Sequence, residues 1–178
     1  GPDIRRSPRF EFRGGMGLST WGLAPRSTNA LELTVHYRRL RAGGKWYAVS
    51  HSFEGYPDRF WKKNPANPAA WESYHPEYFA RGYTSAPPQM CFSSTGLVAQ
   101  VVKDAKDFFN NKAKYRADGG QDYFSVVPRD SDSMCSCKRC KARLGKPTAH
   151  FSDGEASRLV WGFTADVAEE FSKELPGK

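Results

Sequence analysis

The sequence has no long apolar run, no internal repeat and no low-complexity tract. Because a membrane-spanning helix needs about 20 consecutive apolar residues, a membrane partner is not expected. Residues 1–6 have no apolar stretch behind their charges and do not resemble a secretory signal. We expect a periplasmic or secreted location only if a leader was removed. Cysteine is scarce, with four residues in 178, and its clustering does not resemble the evenly spaced disulfide framework of a small secreted domain.

The composition is that of a globular chain, with 39% hydrophobic and 26% charged residues. A length of 178 residues suits one folding unit with its own core. We therefore predict a single domain over residues 1–178. The aromatic share of 14% is high. Aromatic rings are common in cores, and in a cleft they also offer flat apolar faces to ligands such as sugars.

The formal net charge of +8 requires that nucleic acid be considered as a partner. Lysine and arginine are dispersed along the chain, and the densest group, in residues 138–146, lies inside a cysteine-containing segment. No signature of a nucleic-acid-binding module occurs. The charge therefore favours a solvated basic surface over a nucleic-acid interface.

The order of hydrophobic periodicities predicts an α/β fold. Strands are predicted at Phe10–Arg13, Trp46–Ser50, Gln89–Phe92 and Tyr123–Val127. Helical segments are predicted at Leu31–Arg41, in short turns at Pro57–Trp61 and Pro68–Phe79, from Ser94 to Phe109, and from a capping box at Ser152–Glu155 to near Pro176. Strands that alternate with helices indicate parallel strands joined by crossover helices.

Three chemically useful side chains follow predicted strands. His51, Cys91 and Asp130 each lie at or just after a strand end. Because the loops after parallel strands share one rim of the sheet, we expect these side chains to converge.

Asp130 and Asp132 are candidate catalytic carboxylates, because glycosidic chemistry uses a pair whose pKa values are split. Aspartate also suits the turn that Pro128 begins, and this reading is the alternative. His51 could donate to a substrate hydroxyl or transfer a proton. The side chains that could line the same cleft as substrate-binding residues are His51, Glu54, Tyr56 and Trp46.

Cys135, Cys137 and Cys140 form a C-x-C-x-x-C motif, and Cys91 would complete four thiolates if the two strand ends are neighbours. Four thiolates suffice for a closed tetrahedral zinc site. The spacing matches no standard zinc finger. A structural zinc, one or more disulfides and free thiols are therefore all open from the sequence.

Several short motifs resemble, in their order along the chain, a known bacterial protein family. They are His51-Ser52-Phe53, His75-Pro76-Glu77-Tyr78-Phe79, Gln89-Met90-Cys91-Phe92-Ser93, Pro128-Arg129-Asp130 and the stretch from Cys135 to Ala142. The family consists of barrel proteins long known as a domain of unknown function, and some members are endo-β-N-acetylglucosaminidases that act on N-glycans. The resemblance runs from about Pro8 to the C-terminus.

The resemblance implies a glycoside hydrolase barrel in which Asp130 orients or polarises the substrate's acetamido group and His51 binds the sugar. A complete (β/α)₈ barrel needs about 250 residues, so the chain is predicted to be a partial TIM-like barrel, a fragment of a larger catalytic domain. The implied partner is a glycan containing N-acetylhexosamine, and no cofactor is required for catalysis. The alternatives are a non-catalytic carbohydrate-binding protein of the same fold and, less favoured, a basic zinc-containing nucleic-acid binder.

Overall fold

The structure is a computed structural model that describes residues 52–110, 123–145 and 154–177, and before them only residues 12–13, 35, 39 and 43–44. The chain divides into two compact units, Gly1–Tyr47 and Ala48–Lys178. In the first unit, strand β1 (Phe12–Arg13) pairs antiparallel with strand β2 (Gly43–Gly44). The single domain predicted over residues 1–178 stays a prediction.

The described part of the second unit is mainly helical. Its α-helices are α1 (Tyr56–Phe60), α2 (Thr95–Phe109), α3 (Lys138–Leu144) and α4 (Gly154–Glu174). Two 3₁₀ turns, Pro68–Ala70 and Pro76–Tyr78, lie between α1 and α2. Proline begins both turns, where its missing N–H is not needed for a helical hydrogen bond. The short helical turns predicted from the prolines are confirmed.

Helices α2 and α4 pack against each other along their apolar faces. The side chain of Ser94 caps α2 by accepting the N–H of Leu97 at 3.3 Å, as predicted. The buried apolar side chains are Leu97, Val98, Val101, Val102 and Ala105 on α2, and Ala156, Leu159, Phe163 and Val167 on α4. Both predicted helices are confirmed. The serine of the predicted capping box of α4 lies outside the described residues.

Aromatic rings supply much of the core between these helices and the segment around α1. Phe53 meets Tyr56 edge-on at 5.0 Å between ring centroids, and Phe92 lies 5.3 Å from Phe163. Edge-on and tilted ring pairs are the favoured arrangements of aromatic side chains. A large share of the aromatic residues in the described segments therefore belongs to the core.

Of the predicted strand Phe10–Arg13, the described residues Phe12–Arg13 are a strand, β1. Two other predicted strands that the structure describes, Gln89–Phe92 and Tyr123–Val127, are not strands. Gln89–Phe92 contributes only Met90, which forms an isolated antiparallel bridge with Phe79. In Tyr123–Val127, no strand pairing occurs among the described residues. Instead, the Ser52 hydroxyl accepts the N–H of Val127 at 2.6 Å and donates to its carbonyl at 3.0 Å. In both segments, side chains satisfy some of the backbone groups that a sheet would otherwise pair, namely those of Val127 and the N–H of Met90.

The predicted partial (β/α) barrel stays a prediction. Within residues 52–110, 123–145 and 154–177, the structure has no parallel pair of strands. The predicted strand Trp46–Ser50 and most of the predicted helix Leu31–Arg41 lie outside the described residues. None of the helices in the described segments combines the length and apolar character needed to cross a membrane.

A buried ion pair joins α1 to α2. The Arg59 guanidinium donates to both carboxylate oxygens of Asp104, at 2.6 and 2.8 Å, and both side chains are at most 5% exposed. The Tyr56 hydroxyl also donates to Asp104, at 2.6 Å. Burial and the neighbouring Asp104 carboxylate hold the pKa of Tyr56 well above 10.0, so the hydroxyl keeps its proton. The network is paired on both sides, as buried charges require.

We predict that Asp104→Ala destabilises the fold by about 3–5 kcal/mol, because the buried Arg59 charge loses two close hydrogen bonds and keeps the pair of its Nε with Glu72 at 2.9 Å. Asp107→Ala on the same helix is the matched control. Among the described residues Asp107 forms a surface pair with Lys103 at 3.3 Å, so its loss should change the stability by no more than about 0.5 kcal/mol. Urea unfolding of both variants measures the difference, and equal losses would contradict the prediction.

Candidate functional site

Four cysteine sulfurs come together in the second unit. The Sγ atoms of Cys91, Cys135, Cys137 and Cys140 all lie within 4.8 Å of one another. Cys91 Sγ is 3.6 Å from Cys135 Sγ and 3.8 Å from the sulfurs of both Cys137 and Cys140. The cluster could bind a metal ion. Cys91 therefore lies beside the C-x-C-x-x-C motif, as the sequence suggested.

Local backbone structure places each of these sulfurs. Cys91 directly follows the bridge residue Met90, and its N–H donates to the Tyr78 carbonyl at 2.8 Å. Cys137 is the N-cap of α3, where its sulfur accepts the N–H of Cys140 at 3.4 Å. The N–H of Arg81 donates to the Cys135 sulfur at 3.3 Å. Backbone N–H groups thus donate hydrogen bonds to the sulfurs of Cys135 and Cys137, as they would to thiolate anions.

The turn after Ala80 passes close to the motif at Gly82. This glycine has a φ of +104°, and a Cβ atom there would lie only 2.5 Å from Ser136 Oγ. Ser136, between two of the cysteines, binds the Arg81 carbonyl through both its N–H at 2.9 Å and its hydroxyl at 2.8 Å. Only glycine fits this approach without strain.

Three of the four cysteines are buried, and all four are free. Cys91, Cys135 and Cys140 are at most 3% exposed, whereas Cys137 is half-buried. A disulfide requires a separation of about 2.05 Å, well below the 3.6 Å between Cys135 and Cys91. The disulfide alternative is therefore not present in the structure.

The thiols do not share charge evenly. Hydrogen bonds from Cys135 and Cys140 lower the pKa of Cys91 to about 3. Hydrogen bonds with Cys135 and then with Cys91 raise the pKa of Cys140 well above its usual value. Burial acts to raise the pKa of Cys137, but the Cys140 N–H and other hydrogen bonds outweigh it, and the pKa falls. The Cys91 thiolate is thus stabilised by hydrogen bonds from its neighbours, and ionisation of Cys140 as well would be favoured only beside a cation.

Three of the sulfur separations can be compared with those around a single tetrahedral metal ion. Zinc bonded to four thiolates at about 2.3 Å holds them about 3.8 Å apart along the edges of a tetrahedron. The separations of 3.6, 3.8 and 3.8 Å around Cys91 agree with that edge. The residues present therefore fit a metal centre with four sulfur ligands.

A second polar feature is the loop of residues 129–134, which carries Asp130 and Asp132. The Gln89 side chain, fully buried, holds this loop. Its Nε2 donates to the carbonyls of Arg129 at 2.8 Å and Ser131 at 3.2 Å, and its Oε1 accepts the N–H of Arg129 at 3.3 Å. Both aspartates are exposed. We refer to residues 129–134 as the acidic loop.

Arg129 links the acidic loop to two other segments. Its Nη1 donates to the Pro87 carbonyl at 3.2 Å, and its Nε is 3.5 Å from the Glu54 carboxylate. That Nε is buried and has no hydrogen-bond partner within the described segments. Together with the bonds between Ser52 and Val127, these contacts bring residues 52–54, 87–91 and 127–131 together.

The predicted substrate-binding residues lie in different surroundings. Glu54 is exposed beside Arg129. Tyr56 is only 5% exposed and its hydroxyl is bound to Asp104, so in this structure it belongs to the core. Trp46 and His51 lie outside the described residues.

The chain matches the model of a protein family described as a domain of unknown function, DUF4838, over residues 3–178. It belongs to that family. No curated protein and no solved structure matches the chain. The description of DUF4838 states no activity, and the relation to endo-β-N-acetylglucosaminidases stays a prediction.

Sequence reasoning missed three residues that shape the two sites of this DUF4838 domain, namely Gln89, Arg129 and Ser93. Ser93 Oγ lies 2.9 Å from the sulfur of Cys140. A signal was present for Gln89, because a lone amide at the start of a short apolar run must find partners when it is buried. The identity of those partners, 40 residues later in the chain, is not readable from local pattern.

We predict that Gln89→Ala destabilises the fold by about 2–4 kcal/mol, because it removes three part-buried hydrogen bonds to backbone groups of the acidic loop. Gln100→Ala removes the same amide from a half-buried position that makes one bond to Asp104, at 2.8 Å. This control substitution should lower the free energy of unfolding by about 1 kcal/mol or less. Denaturant unfolding and hydrogen exchange at residues 129–131 are the measurements. Unchanged hydrogen exchange at these residues in Gln89→Ala would contradict the prediction that the Gln89 side chain holds the acidic loop.

Proposed function

We propose that the four cysteines bind one zinc ion in a closed structural site. The observation that carries this proposal is the set of sulfur separations around Cys91, which agree with the edge of a zinc–thiolate tetrahedron. Four thiolates fill the coordination of zinc and leave no position for water or substrate. The metal would therefore supply stability and would fix the segments that carry its ligands.

The alternatives to zinc with sulfur ligands are iron centres. In a polynuclear iron–sulfur cluster the cysteines bind different irons, so their sulfurs spread apart. Sulfurs within 4.8 Å of one another favour a mononuclear centre instead. Zinc is the usual ion in tetrahedral sulfur sites without a redox role.

The surroundings suit the charge of such a centre. Zinc with four thiolates carries two surplus negative charges. Helix α3, which provides Cys140, exposes Lys138, Arg139 and Lys141. Their positive charges offset the charge of the centre at modest cost because they remain in water. Part of the dense basic group noted in the sequence is thereby explained without a nucleic-acid partner.

We predict that the purified protein contains about one zinc per chain, and that Cys140→Ser loses the metal and lowers the melting temperature, because three ligands cannot close the site. Metal analysis by mass spectrometry and thermal unfolding with and without chelator measure both effects. Ser136→Ala, which alters a residue between two ligands, is the matched control and should keep the zinc. A protein purified without zinc or iron that does not take up zinc would contradict the proposal.

We further propose that this domain acts on carbohydrate at the acidic loop, as part of a glycoside hydrolase for glycans containing N-acetylhexosamine. The observation that favours it is the convergence of residues 52–54, 87–91 and 127–131 through Ser52, Gln89 and Arg129. These are segments in which the family resemblance also lies. Glu54, Asp130 and Asp132 present exposed carboxylates on them.

In this proposal the substrate's acetamido group acts as the nucleophile. Asp130 orients or polarises it, and His51 binds the sugar, as the resemblance implies. Gln89 holds the backbone on both sides of Asp130, which fixes the carboxylate position through the main chain. Asp132 is a candidate acid, with a glutamate from a later segment as the alternative. A non-catalytic glycan-binding role would use the same exposed groups without proton transfer.

We predict that Asp130→Asn lowers the release of product from an N-glycopeptide by about 10²–10⁴-fold, because it removes the charge that assists the reaction. Product release is followed by chromatography, and glycan binding by calorimetry. Asp107→Asn, on α2 and away from the acidic loop in sequence, should behave as the parent.

Other outcomes discriminate between the functions. Glycan binding by the parent without turnover, unchanged in Asp130→Ala, would favour the non-catalytic role. The absence of both turnover and binding on a broad glycan panel would contradict the carbohydrate proposal. Retention on DNA or RNA with a steep dependence on salt would support the nucleic-acid alternative instead.

A further inference from the structure

A buried hydroxyl lies against the cysteine cluster. Ser93 Oγ is 2.9 Å from the sulfur of Cys140, 3.6 Å from that of Cys137 and 3.7 Å from that of Cys91. The side chain is only 7% exposed. One serine therefore contacts three of the four sulfurs. Within the described segments, these sulfurs are the hydrogen-bond partners of its hydroxyl.

The adjacent serine has a different task. Ser94 is 1% exposed, and its Oγ accepts the N–H of Leu97 to cap α2. Helix initiation therefore does not depend on Ser93, whose hydroxyl faces the sulfurs. A buried hydroxyl keeps its place only where it is paired.

We propose that Ser93 is a positioning residue of the metal centre, in which its hydroxyl donates a hydrogen bond to the metal-bound sulfur of Cys140. This inference rests on the proposed zinc site. When Cys140 binds a metal it loses its proton, so the serine must be the donor and the sulfur the acceptor. The contact of 2.9 Å makes Cys140 the acceptor for the single hydroxyl proton.

The donation fits a pattern around the cluster. The N–H of Arg81 donates to the sulfur of Cys135, and the N–H of Cys140 donates to that of Cys137. Ser93 gives Cys140 a donor of its own. Hydrogen bonds to metal-bound sulfurs withdraw charge from them and fix their orientation, and loss of such outer partners typically weakens metal binding by about 10–100-fold. They also make the sulfurs less reactive toward electrophiles, because the lone pairs are engaged.

The test compares Ser93→Ala with Ser94→Ala, its buried neighbour. Zinc affinity is measured by competition with a chromophoric chelator, and the rate of thiol alkylation by iodoacetamide is followed on the zinc-loaded protein. We expect Ser93→Ala to retain one zinc per chain at saturation, to bind it about 10–100-fold more weakly and to react faster with the alkylating agent. Ser94→Ala should unfold at lower temperature yet keep the affinity of the parent.

Ser93→Thr keeps the hydroxyl and therefore the hydrogen bond to the sulfur. Its zinc affinity should lie within about threefold of that of the parent. Equal zinc affinities for the parent and Ser93→Ala would overturn this inference and leave the zinc site standing. Equal losses in Ser93→Ala and Ser94→Ala, or in Ser93→Ala and Ser93→Thr, would also overturn it, because they would reflect general destabilisation. A parent that binds no zinc would overturn the zinc site and this inference together.

Discussion

Four thiols within 4.8 Å of one another impose an electrostatic constraint on the second unit. The thiolate form of Cys91 is favoured while Cys140 holds its proton, since neighbouring sulfurs cannot all carry charge unless a cation lies between them. The sulfurs come from the segment after Met90 and from the stretch that leads into α3. A metal ion is the physical means by which these separate stretches of irregular backbone would be held together.

Side chains hold two stretches of irregular backbone in the described part of the second unit. Ser52 pairs with both backbone groups of Val127, and Gln89 pairs with both backbone groups of Arg129 and with the Ser131 carbonyl. A β-ladder would satisfy such groups through neighbouring strands. The acidic loop begins at Arg129, which Gln89 holds, and ends just before Cys135. Gln89 itself is two residues before Cys91. The short segment Gln89–Cys91 therefore contacts the acidic loop and also contributes to the cysteine cluster.

The helices could be predicted from the sequence because their apolar periodicity and caps are local properties. Helix α2 begins after Ser94, and α4 buries the same face that its spacing indicated. The cysteine cluster was also suggested by spacing, although only the structure brings Cys91 to it. The apolar runs Gln89–Phe92 and Tyr123–Val127 did not become strands, because burial alone produces the same pattern as a covered strand. Tyr56 was expected in a cleft, but its partners Arg59 and Asp104 are set by tertiary packing.

The order of the ligands along the chain has a consequence for synthesis. Cys91 precedes Cys135 by 44 residues, whereas the other three cysteines lie within six residues of one another. A ribosome therefore releases α1, the Phe79–Met90 bridge and α2 before any of the last three sulfurs emerges. For the proposed zinc site to form, the Cys91 thiol must stay reduced throughout that interval, and metal binding would be a late step that joins Cys91 to the segment of α3.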